Sequence, residues 1–134
     1  MSERIYSCRS DAIKIDKFRF GEAAEDAVRR EVLEETGVPY EVDHLAVIHE
    51  NFFDDSNCAL KGLDCHEIAF YFVMKPRGSR ELNSHSVSAL GGRETMHWIP
   101  IDDLDRYRAF PTFMKEFLRT PHTGIEHIVT DERI

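Results

Sequence analysis

The sequence has little cysteine, a single tryptophan, no long apolar run and too few basic residues to balance its acidic ones. Each shortage excludes something. The three cysteines, Cys8, Cys58 and Cys65, are odd in number and show no C-x-x-C pairing. That argues against a disulfide framework or a zinc knuckle and leaves free thiols in a reducing compartment. No apolar stretch approaches the roughly 20 residues of a membrane span. The opening MSERIYSCRS is polar and charged, unlike a secretory signal, so a cytoplasmic location without membrane association is expected. Against 25 Asp and Glu stand 17 Lys and Arg, for a formal net charge of −8. A general nucleic-acid binder needs a basic footprint, which is absent. A phosphorylated small molecule is not excluded, because a divalent cation neutralises both an acidic site and phosphates.

What is present reads as one globular domain over residues 1–134, with 42% hydrophobic residues and no repeat or low-complexity tract. CRSDAIKIDKFRF reads as one strand or two short ones, through Ala12, Ile13, Ile15, Phe18 and Phe20. A helix is predicted from about Glu22 to Thr36, with Ala24, Ala27, Val28 and Val32 as its apolar stripe. Gly37 ends it and Pro39 prevents continuation. YEVDHLAVIHENFF and HEIAFYFVMKP read as strands. The second is apolar on both faces, with Ile68, Phe70 and Phe72 on one and Ala69, Tyr71 and Val73 on the other, so a central, covered position is expected for it. TMHWIPI reads as a short strand and PIDDLDRYR as a helical turn. FPTFMKEFLRT reads as an amphipathic helix with Pro111 in its first turn and Phe113, Phe117 and Leu118 inward, and GIEHIVTDERI as a last strand or a tail. Strands interspersed with helices predict an α/β sandwich, a mixed sheet between helices.

The stretch GEAAEDAVRREVLEETGV concentrates carboxylates. Glu31, Glu34 and Glu35 stand at i, i+3 and i+4, so they share a helical face and repel one another. A solvated acidic face tolerates this. Here, however, the acids gather at the helix C-terminus, where the dipole disfavours negative charge, and Arg29 and Arg30 cannot neutralise all of them. Several oxygen ligands on a rigid support are what a hard divalent cation needs.

REVLEETGV, Arg30 to Val38, resembles the core of the Nudix box, G-x5-E-x7-R-E-U-x-E-E-x-G-U with U aliphatic. Glu22, Arg30, Glu31, Val32, Glu34, Glu35, Gly37 and Val38 fill eight fixed positions at the right spacing. HEIAFYFVMK and ETMHWIPIDDL resemble later segments of the family, so the likeness runs from Gly21 to about Leu118. Asp16 stands where the box opens with glycine, and the strand and glycine loop that usually precede the box are contracted.

The resemblance implies a Nudix-type α/β/α sandwich. It also implies hydrolysis of a nucleoside diphosphate linked to another moiety, a small-molecule partner, with Mg2+ or Mn2+. By motif position, Glu31, Glu34 and Glu35 are metal ligands, with Glu31 and Glu34 counted as catalytic; Glu31 or a loop glutamate is the general base, and the late-loop Glu94 is a base, an extra ligand or an ordinary exposed loop acid. Arg30 orients Glu22 or Glu34; Glu22 steadies the preceding loop or simply favours the helix dipole; Gly37 shapes the helix end. His49, Glu50, Asn51, Phe52 and Phe53 are candidates for the base-binding side, with a strand end and core aromatics as the alternative. His66-Glu67 is no metalloprotease site, because Phe70 stands where H-E-x-x-H needs its second histidine. No substrate-binding residue is assigned; the loops from Asp54 to Asp64 and from Arg77 to Arg93 are expected to choose the substrate. The contracted N-terminus leaves two further expectations open: a non-catalytic Nudix-like domain that binds a nucleotide or protein, and a homodimer that covers an exposed sheet edge.

Overall fold

The computed structural model describes residues 3–8, 19–54, 64–79, 95–106 and 111–133. In order, its elements are β1 (Glu3–Cys8), α1 (Ala24–Thr36), β2 (Val42–Asp54), β3 (Asp64–Met74), β4 (Thr95–Pro100), a 3₁₀ turn (Ile101–Arg106), α2 (Met114–Arg119) and β5 (Glu126–Asp131). The fold is α/β and contains a mixed sheet. The chain forms two compact units. One holds β1, the part of α1 from Arg29 onward, the chain to Tyr40, the segment after Pro76, β4, the 3₁₀ turn and α2. The other holds the start of α1 up to Val28, β2, β3 and β5.

In the first unit β1 and β4 pair antiparallel, with Glu3 opposite Pro100 and Cys8 opposite Thr95. The polar opening of the chain was not expected to form a strand. Ile5 and Tyr6 are strand formers hidden among charged neighbours, and pairing with β4 decides the outcome. Most of the strand expected over residues 8–20, Asp16 included, lies outside the described residues. Ile99, Ile101 and Leu104 form a buried cluster, and Leu118 packs against it. α2 has only six residues, too few to stand by propensity, so this packing holds it. Asp105 adds a polar tie, with Arg119 Nη2 at 2.9 Å and Lys115 Nζ at 3.7 Å. Pro111 sits in the turn before α2 rather than in its first turn: its carbonyl accepts the Met114 N–H at 3.1 Å.

In the second unit the sheet order is β3-β2-β5. β2 is central, antiparallel to β3 and parallel to β5. This corrects the expected place of β3: among the described residues it is an edge strand, with Ile68 53% and Phe70 37% exposed. The covered strand is β2, whose Ala46, Val47 and His49 are buried. Apolar residues on both faces are compatible with a central strand, but pairing partners decide which strand takes that place. The chain end forms β5, and its parallel register (Val47 opposite Glu126, Phe52 opposite Asp131) requires a crossover instead of a hairpin. Among the described residues no helix is long and apolar enough to cross a membrane.

Candidate active site on helix α1

α1 begins two residues later than the periodicity suggests. Gly21 adopts φ +80°, which suits a residue without a Cβ. The Glu22 N–H donates to the Arg19 carbonyl at 3.0 Å, and the Arg19 N–H donates to Glu22 Oε2 at 3.0 Å. These two bonds close a turn, so Glu22 fastens the approach to the helix instead of joining it. Glu25 and Asp26 then occupy the first turn, where the dipole favours negative charge.

The other end is set by Gly37. At φ +74° it takes the left-handed conformation, and its N–H donates to the Leu33 carbonyl at 2.8 Å. This is a single-bond left-handed cap. Thr36, 2% exposed, reinforces it. Its hydroxyl donates to the Val32 carbonyl at 2.7 Å and accepts the Val38 N–H at 3.2 Å. The helix end and the outgoing chain are thereby tied through one oxygen. Thr36 occupies a position that the box leaves free, so the motif offered no sign of it.

The three carboxylates lie in different surroundings. Ala27 and Thr36 are buried, and Ala24, Val28, Glu31, Val32 and Glu35 are half-buried. These positions form one stripe at helical spacing. Glu31 and Glu35, one turn apart, therefore fall on the shielded side of α1. Glu34 is 53% exposed, and Arg30 Nη1 lies 3.3 Å from its Oε1 and 3.4 Å from its Oε2. An exposed pair of this kind contributes about 0.3–0.5 kcal/mol, and less with the arginine on the N-terminal side, as here. The last turn contains no basic residue, so the negative end of the helix is left acidic.

Among the described residues no three carboxylate, imidazole or thiol groups are gathered into a metal cage. The donor set nonetheless fits a hard divalent cation: three carboxylates, all oxygen, on flexible side chains, with Glu31 about 5–6 Å by Cβ from both Glu34 and Glu35. Glu94, the late-loop candidate, lies outside the described residues.

The candidates on β2 are engaged in fastening the sheet. On one face Glu50 receives His66 Nε2 of β3 at 3.0 Å and His127 Nε2 of β5 at 2.6 Å. The His127 bond, then the His66 bond, holds the Glu50 carboxyl below the usual range. Phe52 stacks on the His66 ring at 4.2 Å, and the Arg133 guanidinium lies 4.9 Å from the Phe52 ring centre. On the other face the Thr130 hydroxyl donates to Asn51 Oδ1 at 2.7 Å. Its single proton is thus committed, so the 2.8 Å contact with His49 Nε2 makes His49 the donor. Burial pushes His49 below its ordinary pKa, with Glu132 opposing. The Glu50–His127 bond joins residues 77 positions apart, and nothing local in the sequence announces it.

The family model of the NUDIX domain matches residues 15–120. Comparison with curated proteins finds no match.

Proposed function

The chain belongs to the Nudix family, and from that premise we propose that it hydrolyses a pyrophosphate bond in a nucleoside diphosphate linked to another group, with Mg2+ or Mn2+. The observation that carries the reading is the placement of Glu31 and Glu35 on the half-buried stripe of α1, with Glu34 beside them. Acids kept partly from water at the negative end of a helix cost it stability, and a divalent cation bound there would offset that cost.

Glu31, Glu34 and Glu35 would hold the metal. When bound, the cation draws charge from the pyrophosphate oxygens and acidifies a water. The protein's own part is positional. Thr36 and Gly37 fix the direction in which the last turn of α1 presents Glu34 and Glu35. Arg30 pairs with Glu34 and orients its carboxylate. Glu22 holds the turn that leads into the helix. Glu31 or the late-loop Glu94 takes the proton from the attacking water.

The test is phosphate and nucleotide release from a panel of pyrophosphate-linked nucleosides, with and without Mg2+ or Mn2+, with Glu35→Gln alongside. Metal-dependent turnover of a substrate that is lost in Glu35→Gln supports the reading. Ligand binding without turnover and indifferent to metal favours a non-catalytic nucleotide-binding domain.

A further inference from the structure

In the unit that carries the acidic end of α1, most cations whose partners are defined meet a carboxylate. Arg30 meets Glu34, Arg106 approaches Asp103 at 3.9 Å, and Lys115 and Arg119 share Asp105. Arg77 differs. It is exposed, and among the described residues its partner is an aromatic face: its guanidinium carbon lies 5.4 Å from the centre of the Tyr40 ring. Tyr40 is itself unusual. It is 6% exposed, and its buried hydroxyl has no hydrogen-bond partner among the described residues. The ring is thus a rigid platform, and the arginine above it keeps all five N–H donors free of any carboxylate of the described residues.

Position adds to this. Tyr40 is three residues beyond Gly37, so at most about 11 Å of chain separates the platform from the end of the carboxylate helix. In a chain of net charge −8, an anionic ligand approaching that helix gains from a cation that no neighbouring carboxylate of the described residues holds. A guanidinium held over a ring by cation–π attraction keeps its planar fork for a phosphate, and it loses less side-chain entropy than a free arginine when it binds one.

We propose that Arg77, seated on Tyr40, binds a phosphate group of the ligand, as a specificity-determining residue. The proposal rests on the hydrolase reading for its substrate class, a phosphate or pyrophosphate ester, though not for the existence of the anion site. Arg77 is a recognition residue and takes no part in proton transfer.

The experiment is an NMR titration of the 15N-labelled full chain with inorganic pyrophosphate and, separately, with ADP, in chelator at low salt. Wild type, Arg77→Gln, Arg77→Lys, Tyr40→Leu and Tyr40→Phe are compared, each first shown to be folded by its amide spectrum. Saturable shifts at Arg77 Nε–H and around Tyr40 are expected. Affinity should fall about tenfold in Arg77→Gln, fall by less in Arg77→Lys, fall in Tyr40→Leu where the platform is lost, and persist in Tyr40→Phe where the ring remains. Arg77→Gln binding both probes as wild type does, or wild type showing no saturable shift at Arg77, overturns the proposal. Arg77-dependent binding in a protein that hydrolyses nothing in the nucleoside panel keeps the anion site and removes the hydrolase reading. Turnover in the panel with Arg77-independent binding does the reverse.

Discussion

Thr36→Val is the sharpest probe of how the end of α1 is built. The substitution keeps the branched shape and removes one oxygen. In the folded protein that oxygen serves the Val32 carbonyl at 2.7 Å and the Val38 N–H at 3.2 Å, at a residue only 2% exposed. The Val32 carbonyl also lies within the hydrogen-bonded ladder of the helix, so its loss is partial. The Val38 N–H loses its acceptor in a buried place, and an orphaned donor costs about 1–3 kcal/mol. For a chain of 134 residues, unfolding entropy of about 2.1 cal/mol/K per residue makes a 2 kcal/mol loss a fall in Tm of roughly 7 °C. Thr36→Ser is the control. It keeps both contacts and loses a methyl group, for about 0.8 kcal/mol. Thermal melts followed by circular dichroism at constant pH should therefore rank wild type above serine and serine above valine. If valine melts within about 2 °C of wild type, or above serine, the hydroxyl is not what ties the helix to Val38, and the reasoning fails.

Other perturbations test other parts. Leu104→Ala opens a cavity beneath Ile99, Ile101 and Leu118 and should cost about 3 kcal/mol in urea unfolding; a loss below about 1 kcal/mol would mean that the cluster collapses freely. Gly37→Ala should cost about 1–2 kcal/mol for a Cβ at φ +74°, and Gly37→Asn less; equal midpoints for the two variants would speak against a left-handed cap. His49 is held below its ordinary value of 6.5 by burial, so the folded state binds fewer protons than the unfolded one just below that pH. Its contribution is complete above 6.5 and is lost as pH falls through the lowered value. The urea midpoint should accordingly drop between pH 7.5 and pH 5.5 more in wild type than in His49→Gln, and identical drops would refute the assignment.

Local pattern was legible where local forces decide. Spacing left β5 open between a strand and a tail, while the apolar stripe of α1, its stop at Gly37, and the strands β2, β3 and β4 follow from spacing, turn residues and β-branched content. So did the α/β class and the concentration of Glu31, Glu34 and Glu35 on one helix. What could not be read depends on partners distant in sequence. β1 exists by pairing with β4, across some 90 positions. β3 has two apolar faces yet lies at an edge, because β2 takes both neighbours. The start of α1 shifted because Glu22 prefers to close a turn on Arg19. Within the box itself, the free position before Gly37 holds Thr36, whose hydroxyl is decisive for the helix end, and a pattern of fixed positions says nothing about a free one. The roles of Glu50, His66 and His127 are equally invisible from the sequence, since three strands must first come together to gather them around one carboxylate.

The central claim is that the carboxylates of α1 hold a divalent cation for the reaction. Calorimetric titration of Mn2+ into the wild-type chain, and into folded Glu35→Gln, tests it without any assumption about substrate. Saturable binding to wild type is expected, weakened at least about tenfold in Glu35→Gln, since one of three charged oxygen ligands is replaced by a neutral amide. Equal binding by the two proteins, or none by either, would contradict it.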